Sequence, residues 1–111
     1  MRIQQVALNI IRNGMEAMVD VDNRQRGVLV TTALKSQSKN QQVIIFNVID
    51  YGVGIADGAE KYLFDPFHTT KKNGMGIGLS ICQSIIQDHG GDIGFRSNSE
   101  GGTTFYFSIP V

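Results

Sequence analysis

Three glycines at alternate positions run directly into an apolar helical pattern in the stretch NGMGIGLSICQSIIQDHGG, residues 73–91. Glycine in an ordered element lowers stability by about 0.5–1 kcal/mol relative to alanine. Gly74, Gly76 and Gly78 therefore indicate that the backbone here lies in close contact with another group. The first amides of a helix have no partner within it, and with the helix dipole they favour an anion such as phosphate. The stretch therefore indicates either a phosphate site or a flexible hinge without a ligand.

Two common nucleotide-binding motifs do not fit this stretch. A dinucleotide-binding fingerprint needs a glycine at position 79, where Leu79 stands. A Walker A loop needs Gly-Lys followed by Ser or Thr, and no lysine of the chain follows a glycine. A nucleotide bound here would therefore use another arrangement.

Length, charge and cysteine content bound the class of protein. The chain has 111 residues, a formal net charge of zero from 10 basic and 10 acidic residues, and one cysteine, Cys82. This length suits one domain with a modest core. The charge balance argues against a nucleic-acid binder, which usually carries a basic surplus. A single cysteine cannot form an internal disulfide and indicates a reducing compartment, and no apolar run approaches the roughly 18 residues of a membrane span.

Hydrophobic spacing predicts the order of the elements. Residues 2 to about 20 read as a helix, 27–34 as a strand, 35–41 as a polar turn region and 42–50 as a central strand. The Gly-rich region 51–73, with a short helical stretch at about 57–63, is typical of a functional lid. A helix at about 77–88 and two strands joined by SNSEGG follow, and the inward stripe of that helix is Leu79, Cys82, Ile85 and Ile86. We expect a two-layer α/β (α+β) sandwich with a mixed, mostly antiparallel sheet and helices on one face.

An aspartate ends the predicted central strand. Asp50 is followed by Gly52 and Gly54 in IDYGVGI, residues 49–55. A carboxylate at the mouth of a buried strand can accept a hydrogen bond from an exocyclic amine such as adenine N6, and the glycines leave space for a flat ring. A strand-ending Asx turn, which is frequent, explains the same residues without a ligand. On these residues alone the turn is the better explanation.

Two asparagines lie on the first helix. Asn9 and Asn13 are four residues apart, which places both side chains on one helical face. Amide oxygens are hard ligands that suit Mg²⁺, which keeps waters and phosphate oxygens as its other ligands. Exposure to solvent or hydrogen bonds to neighbouring loops would also satisfy these amides.

Four segments together resemble the sequence boxes of the ATP-binding catalytic domain of sensor histidine kinases of two-component systems. QQVALNIIRNGMEAM is similar to the N box, DYGVGI to the G1 box, LFDPFHTTK to the F box and GMGIGLSI to the G2 box, in the order of that family. HGGDIGF and GGTTFYFSIP resemble its closing segment, and the short lid resembles the nitrogen-regulation and oxygen-sensing branch. The resemblance implies the Bergerat ATP-binding fold shared with gyrase, Hsp90 and MutL.

The resemblance also implies roles for individual residues. Asn13 would hold Mg²⁺ in the catalytic centre, with Asn9 beside it as a second candidate ligand. Asp50 would hydrogen-bond adenine, and Phe64 and Phe67 would anchor the lid by packing. The other implied nucleotide-binding positions are Gly52, Gly54, Lys71, Gly74, Gly76, Gly78 and Leu79.

The implied reaction is transfer of the γ-phosphoryl group of Mg-ATP to a histidine on a separate dimerisation and phosphoacceptor domain. A response-regulator receiver domain would then take the phosphoryl group. The acceptor helix and the strand that usually precedes the N box are missing from the chain. We therefore expect residues 1–111 to be a fragment of a longer, homodimeric kinase with this domain in the cytoplasm, and a membrane anchor in the parent protein stays open.

Some residues depart from the family pattern or invite another role. Gly14 stands where the family commonly has alanine, which predicts a less stable helix rather than lost binding. Neither His68 in the lid motif nor His89 at a helix end is expected to be the phosphoacceptor. Cys82 is expected to be a small core residue without reactivity.

Three rival functions use the same nucleotide site. An ATP hydrolase of this fold would carry a general-base glutamate at the position of Asn9, and asparagine is a poor base. A serine kinase of the anti-sigma type would have a similar nucleotide box. A nucleotide-sensing module would bind without catalysis.

Overall fold

The structure is a computed structural model that describes residues 3–18, 27–52, 54–55, 75–99 and 101–111. Its elements are α1 (Ile3–Ala17), β1 (Leu29–Ser38), β2 (Gln41–Ile49), α2 (Met75–Asp88), β3 (Asp92–Ser97) and β4 (Thr103–Pro110). Helices and strands thus follow the order that the spacing predicts. Neither helix in the described ranges has the length and apolar character needed to cross a membrane.

The strands form one sheet in the order β1-β2-β4-β3, and the three neighbouring pairs are antiparallel. β1 and β2 pair as sequence neighbours, as do β3 and β4, and the two pairs join where β2 lies beside β4. The prediction that β2 is a central strand is therefore confirmed. The expected mostly antiparallel sheet is also confirmed, and the described strands contain no parallel pair.

One face of the sheet carries the hydrophobic core. Phe46 of β2 lies opposite Phe107 of β4, and their rings stack with centroids 5.0 Å apart. Val48 lies opposite Phe105 on the same face, because side chains two residues apart share a face of the sheet. The helices supply the other half of this core, which consists of Val6 and Ile10 from α1 and Leu79, Cys82 and Ile86 from α2. The predicted inward stripe of α2 is confirmed, with Ile85 partly buried against the same cluster.

The buried face of α1 includes polar and small residues. Val6, Ile10, Asn13 and Gly14 are its buried residues, and they recur at helical spacing. Helix α1 ends at Ala17 rather than at about residue 20, with a turn at residue 18. The same face that packs on the sheet therefore also presents an amide near the end of the helix.

The first hairpin differs from the prediction. The strand β1 continues to Ser38, so the predicted turn region 35–41 is wrong except at residues 39–40. Lys35 pairs with Val43, and Ser36 pairs with Gln42. Since β1 is an edge strand and residues 29–36 are exposed, polar side chains there do not disturb the ladder.

The start of the second helix also differs. α2 begins at Met75 rather than at about residue 77, which places Gly76 and Gly78 inside its first turn. Most of the predicted lid, including the short helix at about 57–63, lies outside the described residues. Phe64, Phe67 and His68 lie there too, so their roles stay predictions.

The surroundings of Gly14 show how closely α1 approaches the sheet. A Cβ atom at this position would lie 3.4 Å from Val28 Cγ2 and 3.5 Å from both Val48 Cγ1 and Asp50 Cβ, which is ordinary van der Waals contact. We expect Gly14→Ala to raise the free energy of unfolding by about 1 kcal/mol in urea denaturation, since alanine is the better helix former. Gly91→Ala is the opposing control, because its Cβ would overlap a backbone carbonyl of β4. A loss of stability in Gly14→Ala would contradict the packing described here.

Candidate functional site

The end of β2 carries a buried carboxylate. Asp50 follows the last residue of the strand and is 2% exposed. Its Oδ1 atom accepts a hydrogen bond from the Gly52 amide at 3.0 Å and another from the Thr103 amide at 3.1 Å. The backbone N–H of Asp50 donates to the Thr103 carbonyl at 3.0 Å, which extends the pairing of β2 with β4 by one residue. Two backbone donors from different segments therefore hold one oxygen of this carboxylate in place.

The Asx turn that the sequence offered as an alternative is present, but it does not account for the site. The bond from Gly52 to Asp50 is that turn. The bond from Thr103 joins residues 53 positions apart and is not part of it. Carboxylates are rarely buried to this degree without a specific set of partners. Burial with a fixed orientation makes Asp50 a candidate acceptor for a donor on a ligand.

Glycine is favoured at positions 52 and 54 for two different structural reasons. A Cβ atom on Gly52 would overlap the carbonyl oxygen of Ala17, so this position lets the loop lie directly on the end of α1. Gly54 has φ 76°, a left-handed conformation that side chains other than glycine rarely adopt. The loop after β2 is therefore shaped both by close approach and by backbone conformation.

An unpartnered amide oxygen lies on α1 beside this loop. Asn13 is 6% exposed, and its Oδ1 atom has no hydrogen-bond partner among the described residues. A Cβ atom built on its neighbour Gly14 would lie 3.5 Å from Asp50 Cβ, so the amide and the carboxylate belong to one region of the structure. A buried polar atom without a partner costs about 1–3 kcal/mol. Such an atom is therefore a candidate ligand for a group that the protein does not itself supply.

The other asparagine of α1 contacts the second helix. The amide nitrogen of Asn9 lies 3.5 Å from the sulfur of Cys82 and donates to it. Burial raises the pKa of the Cys82 thiol, and the hydrogen bond from Asn9 opposes this shift only in part. The thiol is thus held in its neutral form, and the prediction that Cys82 lies in the core is confirmed. A metal-binding role for Asn9 stays a prediction.

The start of α2 contributes backbone rather than side chains. Gly76 and Gly78 lie in its first turn, where helix amides have no partner within the helix. The side chain of Leu79 packs in the core, so this residue would reach a ligand through its backbone. Lys71 and Gly74, the other positions implied by the resemblance, lie outside the described residues.

Residues of β4 and its hairpin contribute to the site although the sequence did not predict them. Thr103 and Thr104 are buried, at 3% and 2% exposure. Gly102 has φ 87°, and a Cβ atom there would overlap the Asp50 carbonyl oxygen. The signal was the run GGTTFYF, in which two threonines open an alternating strand. Alternation places one threonine on each face of the sheet. One of the two hydroxyl groups therefore faces the protein interior beside the glycines.

The histidine that lies within the described residues, His89, has a structural contact. His89 Nδ1 lies 2.8 Å from the carbonyl oxygen of Ile85 at the end of α2. A carbonyl oxygen only accepts, so the ring nitrogen donates. A donor at a helix C-terminus is favoured by the free carbonyls and the dipole.

Comparison with known proteins identifies the family. A sequence model described as "Histidine kinase-, DNA gyrase B-, and HSP90-like ATPase" matches residues 1–111. The chain belongs to this family, which confirms the resemblance drawn from the four boxes and the α+β fold class. Nucleotide binding at this site is therefore supported by the family as well as by the geometry.

Individual relatives include a sensor protein and the catalytic domain of a histidine kinase. The chain is 43% identical to the sensor protein FixL of Bradyrhizobium diazoefficiens over 99% of its own length and 21% of the relative. The solved catalytic domain of histidine kinase ThkA is 32% identical, with a TM-score of 0.73 over 97% of this chain and 65% of that one. Full-length ShkA in complex with AMPPNP is 26% identical, with a TM-score of 0.75 over 96% of this chain and 21% of that one. The chain spans about a fifth of the length of the curated relatives it matches.

The unpartnered Oδ1 atom of Asn13 predicts that this residue favours ligand binding at the expense of the stability of the unliganded protein. We expect Asn13→Leu to raise the free energy of unfolding by about 1 kcal/mol without nucleotide, because it removes a buried oxygen that has no partner. Urea denaturation measures this change. Asn47→Leu is the control and should give no such gain, since the Asn47 amide donates to Thr31 Oγ1 at 3.3 Å. A clear loss of stability in Asn13→Leu would show that this oxygen is satisfied in solution.

Proposed function

We propose that residues 1–111 of this chain form the ATP-binding catalytic domain of a sensor histidine kinase and are a fragment of a longer, homodimeric protein. It would donate the γ-phosphoryl group of Mg-ATP to a histidine on the dimerisation and phosphoacceptor domain. The observation that carries the proposal is the buried carboxylate of Asp50 together with the buried, unpartnered Oδ1 atom of Asn13. Family membership and the names of the relatives support the same reading.

Asp50 is suited to recognise the amine of adenine. Its Oδ1 atom is held by the amides of Gly52 and Thr103, so the carboxylate has one orientation. A carboxylate offers about four acceptor positions, and both of these backbone donors bind the same oxygen, Oδ1. A Cβ atom on Gly54 would have no atom of the described residues within 4 Å, so the flat ring would have space beside Gly54. A charged acceptor in a buried site makes a stronger hydrogen bond than a neutral one.

Asn13 fits a magnesium ion. Mg²⁺ is usually bound through one or two protein oxygens together with substrate phosphates and water. The Oδ1 atom of Asn13 supplies one such oxygen, and Asn9, one turn earlier on α1, is the second candidate. When bound, the ion would offset negative charge on the phosphates.

The start of α2 is the proposed phosphate end of the site. Amides of its first turn, at Gly76 and Gly78, can donate to phosphate oxygens, with Leu79 adding its backbone. Gly74 and Lys71 would complete this end from the lid. Phosphoryl transfer of this kind depends mainly on positioning and electrostatics.

The phosphoacceptor would come from another part of the parent protein. His89 is held at the end of α2 by its bond to Ile85, which fits a structural role rather than phosphorylation. A response-regulator receiver domain would take the phosphoryl group from the acceptor histidine. Hydrolysis is disfavoured, because the position of a general base holds Asn9, whose amide contacts Cys82 and cannot take up a proton.

Replacement of the carboxylate tests adenine recognition. Asn at position 50 keeps an oxygen for the two backbone amides but puts an NH₂ group where the ligand amine needs an acceptor. We expect Asp50→Asn to weaken AMPPNP binding by about 10- to 100-fold in calorimetry, the range of a hydrogen bond to a charged group. The midpoint temperature of its thermal unfolding should equal that of the unsubstituted chain. Asp92→Asn, at an exposed aspartate of β3, should leave affinity unchanged, and unchanged affinity in Asp50→Asn would reject the role.

A mixing assay tests the kinase function itself. The chain is combined with γ-labelled ATP, Mg²⁺ and a separately made phosphoacceptor domain of a close relative. We expect the label to appear on the acceptor histidine. We expect no labelled histidine when Mg²⁺ is omitted or when the Asn13→Ala variant is used instead of the unsubstituted chain. Label released only as inorganic phosphate would instead favour a hydrolase. Nucleotide binding without either product would favour a sensing module.

A further inference from the structure

The hairpin between β3 and β4 holds the backbone of the candidate adenine acceptor. The Asn98 side-chain nitrogen donates to the Asp50 carbonyl oxygen at 2.9 Å, across 48 residues of sequence. Because a carbonyl oxygen only accepts, this bond fixes which end of the Asn98 amide faces Asp50. The other end, Oδ1, accepts a hydrogen bond from the Thr104 hydroxyl. Both ends of the amide are therefore committed, and its orientation is defined.

The bond from Asn98 replaces a missing contact between two strands. Residues that form a hydrogen-bonded antiparallel pair normally exchange two backbone bonds. Asp50 donates to the Thr103 carbonyl as expected, but the Thr103 amide donates to the Asp50 side chain instead of the Asp50 carbonyl. The side chain of Asn98 donates to this carbonyl instead. The Thr103 amide is thereby available to orient the carboxylate.

The hairpin is shaped to make this contact. Asn98 N–H donates to the Gly102 carbonyl at 3.1 Å, and Gly101 N–H donates back to the Asn98 carbonyl at 3.2 Å. Gly102 has φ 87°, and any side chain there would overlap the Asp50 carbonyl oxygen. The hairpin therefore lies against the end of β2 at a distance that only glycine permits.

From these contacts we infer that Asn98 is a positioning residue that orients Asp50 and so sets the preference of the site for a purine with a 6-amino group. The inference rests on the proposed function of Asp50. Without the Asn98 amide, the Thr103 N–H can return to the Asp50 carbonyl, and the carboxylate loses one of its two backbone donors. Hydrogen bonds weaken steeply when the donor–acceptor angle departs from linearity, so a rotated carboxylate binds the amine less well. Phosphate contacts at the start of α2 do not depend on this rotation.

A comparison of two nucleotides tests the inference. Inosine triphosphate carries an oxo group where ATP carries the 6-amino group, and both have the same triphosphate. Calorimetry with Mg²⁺ should show that the parent chain binds ATP at least about tenfold more tightly, as expected for one hydrogen bond to a charged acceptor. We expect Asn98→Ala to lose most of this preference, with ATP affinity falling about tenfold and inosine triphosphate affinity changing less than twofold. A merely structural role would weaken both nucleotides together.

Matched variants keep the test decisive. Ser99→Ala changes an exposed residue of the same hairpin and should keep the preference. Should Asn98→Ala unfold, Thr104→Val removes the hydroxyl that orients the amide, whereas Thr104→Ser retains it. We expect the valine variant to lose part of the preference and the serine variant to keep it.

The outcomes separate this inference from the function on which it rests. Loss of the ATP preference in both Asp50→Asn and Asn98→Ala supports the adenine role of Asp50 and the positioning role of Asn98. A preference that is lost in Asp50→Asn but kept in Asn98→Ala and Thr104→Val overturns the role of Asn98 alone. Equal binding of the two nucleotides by the parent chain overturns the adenine role of Asp50 and the inference together.

Discussion

The candidate site depends on an irregular backbone pairing between the end of β2 and the beginning of β4. Asp50 donates to the Thr103 carbonyl, while the Thr103 amide turns to the Asp50 carboxylate. This exchange brings a side chain into a place that a backbone carbonyl would occupy in a regular ladder. It explains how a carboxylate can be 2% exposed and still have a defined orientation. Backbone donors are well suited to this task, because the sheet holds them in place.

The helix α1 combines two tasks that oppose each other. Its buried face anchors the helix on the sheet through Val6 and Ile10 and also carries the amide of Asn13. Burying an amide oxygen without a partner lowers stability, whereas a ligand that supplies the missing contact recovers that free energy on binding. A Cβ atom on Gly14, directly after Asn13, would lie 3.5 Å from Asp50 Cβ, so the helix meets the end of β2 at this point. The domain therefore gives up some stability at the point where α1 meets the carboxylate.

The two helices are linked close to the site. Asn9 donates to the Cys82 sulfur, which joins the turn before Asn13 to the middle of α2. The first turn of α2 carries the glycines that are proposed to meet phosphate. One compact arrangement thus sets the spacing between the proposed adenine, metal and phosphate ends of the site. The histidine that accepts the phosphoryl group is proposed to lie outside this domain, and the curated relatives are about five times as long as this chain.

The sequence by itself determined the elements and the chemistry they could carry. Helical spacing predicted the inward stripe of α2, the apolar run before Asp50 predicted a central strand, and the order of four boxes predicted the family. Polar residues on the edge strand β1 misled the prediction of its end, because pairing with β2 outweighs local polarity. Only the tertiary structure decided that Thr103 and Asn98 reach Asp50 from 53 and 48 residues away. The physical reason is that periodicity reports which way each side chain faces within its own element, whereas the register between distant strands depends on how the whole sheet assembles around its core.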